Sequence, residues 1–504
     1  MAKQEWPPDK WRRKYDKFAE WAAWLSGNPA ELLDIYSANF SLDKGNYNFI
    51  DSGIGYSSLF EARGRFWGKN IQNKRQTMLH VPVAGDIAST SANLLFSEKP
   101  DIKIAEAHEE NADPQAVSEQ DRLDSIADSI DLYSRILEAA NTAAALGGAY
   151  LKVNWDTSFK PFPIISVAQP DNAIPEFKWG FLQRVTFHKT IAKPDTNLRY
   201  RLLEIHEPGV IKNQLWKGTD IHLGKRVSLD TFNSLGNLED EVSTGLDGLA
   251  CRYMPNKLPN KLWRGSDMGQ SDYGGIEGIF DAIDETYTNW LRDVRLARGR
   301  IVVPDYMLDK NKTTGAFEFD IDQEVFTAMN MGPASSDEAP SIESVQFDIR
   351  SDEHKDTISE LITQAYSLAG YSPATFGIDS QSGAATATEI KAREGKSYKT
   401  RAKKARFAQS ALEEILHIAL KIDANHFGQA NGNYRPQVNI ADSVENDPID
   451  LADSINKLNQ AEALSIDAKG RMLHPNWEEG QIEAEVNRIM EEKGISVNSP
   501  TEMV

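Results

Sequence analysis

One cysteine in 504 residues, Cys251, excludes an internal disulfide framework and any zinc site built from several thiolates. It fits a reducing interior. No run reaches the roughly 18–20 apolar residues of a helical membrane span, so no membrane partner is expected. The opening stretch MAKQEWPPDKWRRKYDK has charge and proline in place of a secretory signal's apolar core. The strings GxxxxGK[ST], HExxH, GxSxG, GxGxxG and the EF-hand loop are all missing, so no enzyme activity, cofactor or metal is expected. Positive charge is also short: 55 Lys and Arg stand against 75 Asp and Glu, a net charge of -20. Phosphate neutralisation provides most nucleic-acid affinity, so this balance argues against a surface that grips DNA throughout. It leaves room for a passage through which DNA slides without sticking.

What is present is helical periodicity interrupted by strand patterns, hence an α+β fold. Trp11, Tyr15, Phe18, Ala22 and Leu25 recur at helical spacing after Pro7-Pro8, and Gly27 and Pro29 end that helix. Residues 30–37 and 81–97 read as further helices. Residues 105–122 read as an acidic surface loop, and 123–146 as one helix broken by Gly147-Gly148. Alternation from Tyr150 to Trp155 marks a strand, and short strands are expected to about residue 230. The segment 232–250 is acidic and turn-rich, without a clear place.

The clearest signal is 275–298, a helix with Ile276, Ile279, Phe280, Ile283, Tyr287, Trp290, Leu291 and Val294 on one face. Acids (Glu277, Asp281, Asp284, Glu285) lie at its front and Arg292, Arg295 and Arg298 at its back, as the helix dipole favours. Three short strand patterns follow within 299–350. Then comes a second helix, 351–370, with Ser351 as a plausible N-cap and Gly370 as its stop. Residues 371–385 are loop-like, and 386–427 form a long helix that Gly395 could kink. The first part of that helix, 391–406, holds eight Lys and Arg against one acid, Glu394. Val438–Ile440 reads as a strand, and 440–504 as helical, with 14 acids against five bases. Neither long helix hides its stripe alone; burial inside one chain and packing between copies both remain open.

Few residues suggest chemistry. His417 lies on an apolar helix and reads as a core or interface histidine. The carboxylates Asp281, Asp284 and Glu285 could suggest glycoside hydrolysis, but their place in the first turns of a helix explains them better. Many tryptophans (Trp6, Trp11, Trp21, Trp24, Trp67, Trp155) fall in packing segments rather than a sugar platform.

Six strings, in order, carry a resemblance: WPPDKW, HVPVAGDIASTSANLLFSEKPDI, LGGAYLKVNWD, GRIVVPDYML, FGIDSQSGAATATEIKAREG and VNIADSVENDPIDLADSINKLNQAEALSIDAKGRML. Around a helix, β insert, helix core, the chain resembles the portal proteins (head-to-tail connectors) of tailed bacteriophages, nearest to the siphophage type of Gram-positive hosts. The resemblance implies a ring of about twelve copies at one capsid vertex, with a channel for packaging and ejecting double-stranded DNA. It implies a wing over 1–274, stem helices at 275–298 and 351–370, and a clip at 299–350 between them. A tunnel loop at 371–385, a long helix and return strand at 386–447 and a crown at 448–504 would follow. Implied partners are the terminase motor, head–tail adaptors, and the major capsid and scaffolding proteins. The implied location is the virion's head–tail junction, with the host cytoplasm during assembly.

On that pattern Ser380, Gln381, Ser382 and Gly383 would face DNA. Lys391, Lys396, Lys399 and Lys403 would contact phosphates or pair with an acidic neighbouring subunit. Arg292, Arg295 and Arg298 would line the stem channel or bridge subunits. The rival readings are another neck or assembly protein of the virion and a cytoplasmic α+β enzyme.

Overall fold

The computed structural model describes residues 5–41, 78–108, 112–195, 198–236, 238–297, 300–302, 309–310, 317–318, 343–345, 349–378, 387–430, 432–440, 455–460, 465–473 and 479–492. It is a mixed helix and sheet structure that divides into two compact units. One comprises Met1–Ser382 with Arg393–Ile440, the other Gly383–Ala392 with Ala441–Val504.

In the larger unit α1 (Asp9–Ser26) begins after Pro8 and ends on Gly27 in the left-handed conformation. The expected stripe holds in part: Trp11 and Phe18 are buried, joined by Trp21, Ala23 and Trp24, while Tyr15, Ala22 and Leu25 are half-buried. Helices α2 (Pro29–Ser41) and α3 (Val83–Leu95) follow. The second part of the expected acidic loop, from Pro114 on, is helix instead. Asp113 accepts a hydrogen bond from the Gln115 amide and Pro114 opens α4 (Pro114–Ser129), a capping arrangement that outweighs the polar composition. The single helix expected over 123–146 is two, because Asp131, at φ 49°, breaks the chain before α5 (Leu132–Leu146). Gly147, at φ 86°, ends α5; a Cβ there would lie 2.7 Å from the carbonyl oxygen of Gly269, so only glycine fits.

Strand β1 (Asp101–Lys103) pairs with β15 (Gln437–Asn439), near the expected 438–440 strand. A three-stranded sheet runs β10 (Cys251–Pro255), β2 (Gly148–Asn154), β3 (Ile164–Ala168). A six-stranded antiparallel sheet is built from β4 (Ala173–Lys178), β5 (Phe181–Asp195), β6 (Leu198–Glu207), β7 (Val210–Gly218), β8 (Lys225–Val227) and β9 (Glu241–Ser243). The unplaced segment 232–250 thus supplies β9, which pairs with β7.

Helix α6 (Glu277–Leu296) and helix α7 (Ser351–Ala369) flank β11 (Arg300–Val302), β12 (Asp309–Lys310), β13 (Phe317–Glu318) and β14 (Glu343–Val345), with β11 on β14 and β12 on β13. Ser351 lies inside α7; Arg350 holds the capping position and makes no side-chain capping bond, so the expected serine cap is absent. The chain then makes a short 3-10 turn, Pro373–Phe376, before α8 (Ala387–His426), which runs 40 residues through Gly395 without a break.

Two large cores result. One joins α4, α5 and β2 to the apolar half of α8 through Ala411, Leu412, Ile415 and Ile422. The other, rich in aromatics, joins α1, α2 and α3 to Phe280 and Ile283 of α6 and to Ala365, Tyr366 and Ala369 of α7. In the smaller unit α9 (Ile466–Leu473) meets α10 (Glu479–Glu492), where buried Gly470 lets Ile482 and Val486 pack close.

Candidate functional site: the helix pair and the basic helix

The α6–α7 pair is antiparallel, rooted at one end in the aromatic core. Asp284 of α6, fully buried, accepts from the Tyr36 hydroxyl (2.5 Å) and the Val81 amide (2.8 Å), and its carboxylate meets His80 Nδ1 at 2.9 Å. Glu277 accepts from Trp21 Nε1 at 2.8 Å and from Lys17 at 3.2 Å. Glu277 and Asp284, two of the acids at the front of this helix, therefore bind the N-terminal segment, beyond any dipole effect. At the other end Asp293 of α6 accepts from Arg350 (2.9 Å) and pairs with His354 of α7 (3.0 Å), whose ring stacks on Trp290 at 6.1 Å. Hydrogen bonds from His354 and then Arg350 hold the Asp293 carboxyl below the usual carboxylate range.

Where α7 ends, other elements cap its carbonyl oxygens. Lys396 of α8 donates to Ser367 O at 2.6 Å, Thr400 to Gly370 O at 2.6 Å, and Lys257 to Ala369 O at 3.1 Å. Cations on a helix C-terminus satisfy orphan acceptors and complement the dipole. Next to this end lies a buried polar cluster. Lys404 Nζ donates to Asp272 Oδ2 (2.6 Å), Tyr371 Oη (2.7 Å) and Ser91 Oγ (2.8 Å), while Lys257 meets Asp272 Oδ1 at 2.9 Å. Burial alone would raise the Asp272 pKa; the two ammonium groups outweigh it and hold the carboxyl well below its ordinary value. Burial pushes the Lys404 ammonium down to about 8 against the pull of Asp272. Ser397 completes the joint: its hydroxyl accepts from the Ser372 amide at 2.8 Å and bonds Thr375 at 2.8 Å.

The basic run 391–406 is thus two surfaces rather than one. Ser397, Arg401 and Lys404 face inward, with Arg401 donating to Leu94 O at 2.8 Å. Lys396, Lys399, Lys403 and Arg406 are exposed, and of these Lys396 is tied to α7. Sequence reasoning could not sort them, because an ammonium reads the same on either face; the apolar Ala408, Ala411 and Leu412 further along fix which face turns in. It also missed Asp272 and Lys257, isolated residues in turn-rich chain. Arg295 is exposed, and Arg292 is half-buried and already engaged. Arg298, the side chain of Lys391, and Ser380, Gln381, Ser382 and Gly383 lie outside the described residues.

The family described as "Phage portal protein, SPP1 Gp6-like" matches residues 233–496, from the turn before β9 through α10. The chain belongs to that family of phage portal proteins. That family is structural rather than enzymatic. Among solved structures, this portal protein is similar to a chain described as "Neck of empty GTA particle computed with C6 symmetry", with 13% identity, TM-score 0.41, and coverage of 81% of this chain and 94% of that one. A second, "Neck of native GTA particle computed with C12 symmetry", shows 11% identity and TM-score 0.42, with 78% and 89% covered. Among curated proteins none matches.

Proposed function

We propose that this portal protein works as a closed ring of about twelve copies at one capsid vertex, passing double-stranded DNA in during packaging and out during ejection. The observation that carries this reading is the α6–α7 pair. Its antiparallel helices share one buried end, flank a β-rich insert, and leave Leu291 and Val294 40% and 43% exposed at the other end. Such a pair is half-satisfied in a single chain, and copies side by side would complete it. In this reading 1–274 is the wing, 275–298 and 351–370 the stem, 299–350 the clip and 448–504 the crown. The clip docks the terminase motor and later the neck and tail adaptors, while the outer surface meets capsid and scaffolding proteins in the host cytoplasm. The resemblance of the strings quoted above favours the siphophage type of Gram-positive hosts.

Loop 371–385 lacks Lys and Arg. Small neutral groups such as Ser380, Gln381, Ser382 and Gly383 suit a surface that lets a phosphate backbone pass, since every added phosphate contact increases the grip. Negative-stain images of the purified protein provide the test. Rings with a central hole are expected; a field of compact single chains would contradict the proposal.

A further inference from the structure

The α6–α7 pair has two outer sides of opposite chemistry. Asp293 is the α6 residue that meets α7 at the distal end, and His354 is its α7 counterpart. With about 100° between successive helical residues, Leu291 and Arg295 lie about 160–200° around α6 from Asp293. By the same count Asp352 and Asp356 lie about 160–200° around α7 from His354. Burial agrees: Leu291, Val294 and Arg295 are exposed, as are Asp352, Glu353 and Asp356. Among the described residues no ion pair involves Arg295, Asp352, Glu353 or Asp356, whereas the inward Asp293 is bridged twice. Lys355, at the flank of the acidic side, is exposed as well.

These sides cannot satisfy themselves. Two α6 sides face to face would set arginine against arginine, and two α7 sides would set carboxylate against carboxylate. The attractive arrangement is heterologous, one copy's α6 against the next copy's α7, and a contact of that kind repeats around a ring. Level matches as well. The Asp293 bonds to Arg350 and His354 place residues 291–295 and 350–356 at one height along the pair. Rotation about an axis running along the pair preserves height, so Arg295 of one copy meets Asp352 and Asp356 of the next without a slide. Helices would then alternate α6, α7, α6, α7 at ordinary packing distances of about 8–10 Å.

We infer that the outer side of α6, Leu291, Val294 and Arg295, is the docking surface for the acidic outer side of α7, Asp352 and Asp356, on a second copy of this chain. The inference rests on the ring reading and names the surfaces that meet in it. A rival account keeps these charges within the chain: arginine near a helix C-terminus and acids near a helix N-terminus are both favoured by the dipoles. A third places Arg295 on the channel wall against DNA.

Charge exchange separates them, read by light scattering on variants whose circular dichroism matches the original chain. Arg295→Glu alone, and Asp352→Lys with Asp356→Lys, should each lower the ring population at least about tenfold at equal concentration, the effect of about 1.4 kcal/mol per ring. All three substitutions together should restore it. The dipole account gives the opposite sign for the combination, because every change then worsens the same helices. Rings that persist in the single-sided variants, or a combination that stays monomeric, would overturn the contact while leaving the ring itself standing. Absence of rings in the unaltered chain would overturn both.

Discussion

At its rooted end the α6–α7 pair buries Ile276, Phe280, Ile283 and Asp284 to 4% exposure or less, whereas at its distal end Leu291 and Val294 stay 40% and 43% exposed. The same helix therefore serves two environments. The rooted end belongs to the monomer's core and is held by buried Asp284, which meets Tyr36, His80 and Val81. Among the described residues the distal end is held within the chain by the two bridges of Asp293, to Arg350 and His354, and by a ring stack, with apolar surface left over. In the proposed ring, that leftover apolar surface is where a second copy would pack.

Four substitutions sharpen the contrast, measured as chemical unfolding of the monomeric fraction. Asp272→Ala strands two buried ammonium groups beside the end of α7, and should cost about 3–5 kcal/mol. Asp284→Ala leaves the Tyr36 hydroxyl and the Val81 amide without their acceptor, and should cost about 2–4 kcal/mol. At the distal end Asp293→Asn should cost only about 0.5–1 kcal/mol at pH 7, because Arg350 is largely exposed and its bridge is screened. The carboxyl of Asp293 is held below its unfolded value, so its contribution is complete above pH of about 4 and disappears as pH falls through the folded value. Variant and original should therefore converge in stability once the pH has fallen below the folded value. Leu291→Ser should change monomer stability by no more than about 0.5 kcal/mol while depleting rings. A large loss of monomer stability from Leu291→Ser would erase the distinction between the ends.

Periodicity carried much of this architecture in the sequence. The long helices, the Gly147 and Gly370 stops and the β insert between α6 and α7 were all readable, since apolar spacing and glycine at positive φ act locally. The extent of α4 was not, because a single Asp113-Pro114 cap decided it against an acidic composition. The function of Asp284 on α6 was misjudged for a related reason: position in a helix suggests a dipole effect, while Tyr36 and Val81 arrive from far along the chain. The basic run of α8 shows the limit most clearly, as charge alone could not distinguish Lys404, which is 4% exposed, from its open neighbour Lys403.

The one native cysteine, Cys251, is buried, which leaves engineered thiols almost free of background. The most direct measurement is oxidation of a chain carrying Arg295→Cys and Asp352→Cys, which the Asp293 bonds set at one height, followed by denaturing electrophoresis without reductant. Those positions face away from each other within one chain, so copies that close a pore by α6-to-α7 contact should give a ladder of covalent multimers. A band at single-chain mass alone, from a sample that oxidises fully, would contradict the account.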